Sequence, residues 1–159
     1  MAKIVPDRMT ADHAGDIVVF VIGMRVNRWF AIGKWVPVFN AMGRMLGELH
    51  RDRDSGFLAY EMCWKSPRQP VLIQYWRSFE ALEAYAHDTG QAHRPAWAAF
   101  NRAARGNRAV GIFHETYVVR RGGSETVYNN LPAFGLGKAV GLVPATGKRE
   151  AARDRIEAS

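Results

Sequence analysis

Two of the five histidines stand where an imidazole can do chemistry. His114 lies in the run Phe113-His114-Glu115-Thr116-Tyr117. In an extended strand, alternation sets it with Val110, Ile112, Thr116 and Val118, opposite Phe113, Glu115 and Tyr117. An imidazole on an otherwise apolar face is partly desolvated and suits a general acid or base. A structural histidine bonded across the sheet fits the same pattern. Glu115 shares the substrate side only if the strand bulges. His93 precedes Pro95, and in a helix starting there His93, Trp97 and Phe100 fall at i, i+4 and i+7 on one face. A neutral imidazole beside large apolar rings can ligate a haem iron while the rings cover the porphyrin. A histidine whose nitrogens are satisfied at a helix start has the same spacing. His13, His50 and His87 read as surface residues.

Other chemistry is poorly supported. Cys63 is the single cysteine, so no disulfide forms within the chain, and a reducing cytoplasm is the expected compartment. His87 and His93 are too loosely spaced for zinc. Gly135-Leu136-Gly137 follows no strong strand and is expected to open no clear helix, which argues against a dinucleotide fingerprint, and there is no P-loop or nucleophile elbow. Twenty-two Lys and Arg against fifteen Asp and Glu give a net charge of +7. The charged stretches mix both signs, as in Arg51-Asp52-Arg53-Asp54 and the tail from Lys148 to Glu157, so a solvated surface is expected and no nucleic-acid partner. The longest apolar run, Ile17 to Met24, is far shorter than the ~20 residues that span a bilayer. A soluble protein without a membrane partner is expected.

The elements that must position these residues follow from periodicity. Ile17 to Met24 is short, β-branched and apolar on both alternating sets, so it reads as a strand covered on both faces. Trp35, Val38, Phe39, Met42, Leu46 and Leu49 form one stripe of a helix running to about His50, with Pro37 tolerable in its first turn. Phe57 to Trp64 and Val71 to Trp76 are strands joined across the loop 65–70. Ser78 caps a helix carrying Phe79, Leu82 and Tyr85, and a further helix follows Pro95. Ala109 to Val119 is a fourth strand and Thr126 to Leu131 a possible fifth. One domain over 1–159 is expected, with a polar leader at 1–15 and a charged, fraying tail from about 145. The order β-α-β-β-α(α)-β-β is ferredoxin-like: an α+β fold, an antiparallel sheet with helices on one face. The uncovered apolar face calls for a second copy, giving a homodimeric α+β barrel with a cavity.

The stretch Ile73-Gln74-Tyr75-Trp76-Arg77-Ser78-Phe79-Glu80-Ala81-Leu82-Glu83, followed by His93, Phe113-His114-Glu115, and Tyr128 before Leu131-Pro132, resembles the C-terminal half of the haem-dependent aldoxime dehydratases. The whole chain, through Ile22-Gly23-Met24-Arg25, Tyr75-Trp76-Arg77-Ser78 and His114-Glu115-Thr116-Tyr117, also resembles a bacterial monooxygenase-like family of the dimeric α+β-barrel superfamily. The first resemblance implies haem b, with His93 as the proximal iron ligand and His114, in its His-Glu pair with Glu115, as the distal acid/base. Trp97, Phe100 and Tyr75 become candidate pocket walls, and Arg25 or Arg77 partners for a propionate or substrate anion. Two departures stand out. Those enzymes carry two such units and this chain one, and Ile22 stands where their distal serine is sought. The implied substrate is a small hydrophobic or nitrogen-containing organic molecule. The alternatives are a cofactor-free monooxygenase, with His114 or Tyr117 removing a proton, and a non-enzymatic carrier of haem or another hydrophobic ligand.

Overall fold

The computed structural model describes residues 3–87 and 108–158. His93, Trp97 and Phe100, and the helix expected after Pro95, lie outside the described residues. Among the described residues seven strands are seen: β1 (Val5–Ala11), β2 (Ile17–Val26), β3 (Phe57–Ser66), β4 (Gln69–Trp76), β5 (Val110–Val119), β6 (Tyr128–Leu131) and β7 (Leu142–Pro144). The helices are α1 (Ile32–Arg51), α2 (Phe79–His87), α3 (Gly135–Val140) and α4 (Ala152–Ala158), with a 3-10 turn at Gly147–Arg149.

The main sheet has the order β3-β4-β2-β5, antiparallel throughout, and is the ferredoxin-like α+β arrangement. β2 lies inside it, paired on both edges, while Val19 and Val21 on the face away from α1 stay half-exposed. Its Ile22, Met24 and Val26 face α1 and pack with Val38, Met42, Leu46, Leu72 and Val110. A second cluster joins Val18, Leu49 and Leu82 around Trp76, which is wholly buried. The α1 stripe therefore docks as its spacing demands. The helix begins earlier than the stripe, at Ile32, so Pro37 lies beyond the first turn and has no N–H to donate to the Gly33 carbonyl. Ser78 caps α2: its Oγ accepts the Ala81 N–H at 3.2 Å.

Three segments depart from expectation. Residues 1–15, read as a patternless leader, contain β1, the middle strand of a second sheet ordered β6-β1-β7. Thr126 to Leu131 adds no strand to the main sheet, because β6 pairs with β1 instead. The charged tail is tied down: α4 buries Arg155, whose guanidinium pairs with Glu125. These elements also bring α3 onto the face of the main sheet that was expected to be bare. The Gly135 N–H donates to Glu61 at 3.0 Å, and Lys138 lies 3.3 Å from the same carboxylate. Gly135 sits so near Tyr75 that a Cβ there would stand 3.0 Å from the phenolic oxygen, and its φ of +56° suits glycine.

Candidate functional site

The antiparallel register lines up two rows of side chains on the helix-facing side of the main sheet. Leu72, Ile22 and His114 are neighbours across β4, β2 and β5, and Gln74, Phe20 and Thr116 form the next row. α2 crosses above them with Phe79, Leu82, Glu83, Ala86 and His87, spaced at i, i+3, i+4, i+7 and i+8 and so on one helical face. Sheet and helix enclose an open cavity of about 250 Å³ whose walls are largely apolar. Its polar groups are His114, Thr116, Gln74, Glu83, His87 and the hydroxyl of Tyr85, whose ionisation burial pushes well above its ordinary value.

Two of these groups are oriented by bonds within the fold. Gln74, nearly buried, accepts the Trp76 indole N–H on Oε1 at 3.0 Å, which leaves its amide NH₂ as that side chain's donor group. His87 Nδ1 lies 2.9 Å from the Glu83 carbonyl, one turn earlier on α2. A carbonyl only accepts, so Nδ1 carries the hydrogen and Nε2 is the ring nitrogen left for other partners. The His114 ring lies 5.7 Å from that of Phe20. His114 is more exposed than expected, because β5 is an edge strand and its central residues open to solvent.

Several residues singled out in the sequence stand elsewhere. Glu115 faces away from His114, as alternation requires, and accepts a hydrogen bond from the Tyr117 hydroxyl. That bond, with the carboxylate's charge, pushes the Tyr117 phenol above its ordinary value of 10.0, making Tyr117 a poor base. Arg25 shares that opposite face and reaches Gln69 Oε1 at 3.4 Å. Tyr75 also lies there, between Gln74 and Trp76 in sequence and under α3, so it is no wall of the His114 cavity. Burial raises its phenol, with smaller effects from Tyr128, Glu61 and Cys63. Arg77 is exposed at the β4–α2 junction and does not line the cavity. Gln74 and His87 are the residues missed. His87 carried a signal, since it falls four residues after Glu83 and eight after Phe79 on one helical face. Among the described residues, no cluster of three or more His, Cys, Asp or Glu is placed to hold a metal ion.

Comparison with known proteins gives the chain its relatives. The monooxygenase af470-like family matches residues 17–136, from the first residue of β2 into α3. A curated relative, monooxygenase af470 of Aspergillus fumigatus, is 31% identical over 133 residues, covering 78% of this chain and 46% of that protein. The chain thus spans about half the length of the curated relative it matches. Among solved structures, an aldoxime dehydratase (OxdRE) in complex with butyraldoxime superposes with a TM-score of 0.62 at 15% identity, covering 97% of this chain and 43% of that one. SnoaB, a cofactor-independent oxygenase from Streptomyces nogalater, aligns with a TM-score of 0.47 at 18% identity over 66% of this chain and 94% of its own. The likeness to the dehydratase is one of fold, and the family match covers the whole main sheet and the cavity, so the chain belongs to the monooxygenase af470-like family.

Proposed function

We propose that the chain is an enzyme that takes a small, largely apolar organic molecule into the cavity between the main sheet and α2, and that His114 exchanges a proton with it. The observation that carries this reading is the meeting of an imidazole, an oriented amide donor and apolar walls in one open cavity. Phe20, Ile22 and Leu82 exclude water from the substrate's apolar body. His114 removes a proton from a carbon activated by a neighbouring carbonyl, and the Gln74 NH₂ stabilises the resulting enolate oxygen. In a cofactor-free oxygenation, dioxygen then oxidises the carbanion. A methylene becomes a carbonyl, one oxygen atom stays on the product, the other leaves as water, and the substrate supplies all four electrons. Tyr117 takes no part, since it lies across the sheet and its hydroxyl is engaged by Glu115.

A second reading keeps haem b, supported by the resemblance to aldoxime dehydratases and by the two imidazoles on an apolar cavity. The apolar walls and imidazoles have the chemistry to meet a porphyrin, although the described cavity of about 250 Å³ is smaller than the whole macrocycle and no Lys or Arg is among the described lining residues to meet the propionates. His93 would hold the iron, and Trp97 and Phe100 would cover the ring. When bound, the iron would supply Lewis acidity toward an oxime nitrogen, and His114 would deliver a proton to the departing hydroxyl. In either reading a homodimer completes the molecule, with the half-exposed apolar residues Val19, Val21, Ile73 and Phe113 on the opposite face meeting those of a second copy.

The test is a turnover screen against aromatic ketones with activated methylenes, followed by oxygen uptake, and against alkyl aldoximes, followed by nitrile formation. Haem titration with and without His93→Ala runs alongside. Substituting His114→Ala lowers kcat by about 10²–10⁴-fold, the usual worth of a positioned acid or base. Full kcat in that variant contradicts the role of His114. A stoichiometric Soret band that His93→Ala abolishes selects the haem reading, and its absence selects the cofactor-free one.

A further inference from the structure

At the opposite end of the main sheet from α2, the fold gathers what the sequence scatters. The end of β2 carries Arg25, the loop after it Arg28 and the first turn of α1 Lys34; the end of β3 carries Lys65, the β3–β4 turn Arg68, and Arg108 precedes β5. All six are exposed, and the segments 24–35, 62–71 and 108–112 contain no Asp or Glu. Backbone bonds join the three segments: the Val26 N–H donates to the Arg68 carbonyl at 2.8 Å, and those of Asn27 and Arg28 donate to the Ala109 carbonyl at 2.9 and 3.2 Å. The Arg68 guanidinium lies 5.8 Å from the centre of the Trp29 ring.

Large apolar side chains project among these cations. Phe30 is 95% exposed, Ile32 59%, Trp64 53% and Trp29 41%. They are held on a firm base, since Trp29 stacks on Trp35 at 5.4 Å and the Trp35 indole donates to the Trp29 carbonyl at 2.9 Å. Behind them lies an apolar cavity of about 150 Å³ between Trp29, Trp35, Phe39 and Trp64. An exposed aromatic and aliphatic tip inside an acid-free basic ring is the signature of a surface that seats in the headgroup region of an anionic bilayer.

We propose that this end of the sheet docks the protein on anionic lipid membranes. Phe30 and Ile32 enter the acyl boundary, the tryptophans sit at headgroup depth, and the six cations face lipid phosphates and carboxylates. The charge complementarity favours an anionic over a zwitterionic surface. The aliphatic Ile32 and the fully projecting Phe30 favour a bilayer over nucleic acid, which offers bases to stack on but no hydrocarbon. The expectation of no membrane partner rested on the absence of a spanning segment and on mixed-sign charge runs; an interfacial surface assembled from three loops needs neither. Among the described residues no helix is long and apolar enough to cross a membrane.

Cosedimentation with vesicles of phosphatidylcholine alone, and of equal parts phosphatidylcholine and phosphatidylserine, tests the proposal. The full chain should pellet with the mixed vesicles only, and release as salt is raised. A basic residue at such a surface contributes about fivefold in affinity, so Arg28→Gln with Lys34→Gln should weaken binding about twenty-five-fold. Phe30→Ser should weaken it about tenfold or more. Because these side chains are exposed, thermal melts of the variants should match wild type, and Ile32→Ser provides a second apolar probe. Failure to bind mixed vesicles, or equal binding to both kinds, overturns the proposal. Tighter binding to a short single-stranded oligonucleotide, unaffected by Phe30→Ser, assigns the surface to nucleic acid instead. A drop in oligomeric state caused by Phe30→Ser or Ile32→Ser assigns it to a second copy of the chain.

Discussion

Replacing Trp76 by Phe tests the link between the core and the candidate site. Trp76 is 0% exposed and Gln74 5%. The indole packs against Val18, Leu49 and Leu82, with the rings of Phe57 and Tyr85 at 5.3 and 5.5 Å. Its N–H is the donor to Gln74 Oε1. Trp76→Phe removes that donor and leaves a buried amide oxygen unmatched, at about 1–3 kcal/mol, and the smaller ring leaves a void costing about 1 kcal/mol more. The sum, about 2–4 kcal/mol, lowers Tm by roughly 5–15 °C for a domain of this size. Gln74→Leu removes the acceptor and leaves the indole N–H unmatched, at about 1–3 kcal/mol. The double variant loses both partners together and should cost about 1–2 kcal/mol less than the two single changes added. Urea unfolding of all four proteins, followed by far-UV circular dichroism, measures this coupling. Additivity within about 0.5 kcal/mol would refute the claim that the bond orients Gln74 toward the cavity.

Two further outcomes follow from the opposite face of the sheet. A Cβ on Gly23 would lie 2.6 Å from the Phe113 ring and 2.9 Å from the Pro70 carbonyl oxygen, so Gly23→Ala should destabilise the protein by about 1–3 kcal/mol, and Phe113→Leu should recover part of that in chemical denaturation. Tyr117 has its ionisation raised by the hydrogen bond to Glu115 and that carboxylate's charge. A folded-state value above the unfolded one makes this contribution to stability present below pH 10.0 and lost as pH rises through the folded value. Glu115→Gln should move one tyrosine of the ultraviolet titration back toward 10.0, and an unchanged titration would show that the bond is absent.

Elements that bury a periodic face were legible in the sequence. β2 announced itself by its short run of β-branched residues, and α1 by its stripe because that stripe is what the sheet covers. The side of β5 on which His114 lies followed from alternation alone. Alternation also held the answer for Tyr75: a residue next to Trp76 in a strand faces the other way, and grouping it with His114 overrode that rule. β1 was illegible because only Thr10 among its residues is buried and its partners lie more than a hundred residues away. The order in the tail was illegible because a charged helix can be held by one buried pair, Arg155 with Glu125, which leaves no hydrophobic signature. The place of His87 on the cavity depends on how α2 crosses the sheet, and the basic end depends on three loops meeting, which no local window reports.

The account rests on the cavity between the main sheet and α2 as the place where a small apolar molecule meets His114. Side-chain NMR on protein with labelled histidine rings and leucine methyls, titrated with the compounds that pass the turnover screen, tests this most directly. The account predicts shifts at His114, His87 and Leu82 together, saturating at one molecule per chain, with the indole signals of Trp29 and Trp64 unmoved. Saturable binding that shifts those tryptophans and leaves His114, His87 and Leu82 unchanged would contradict it.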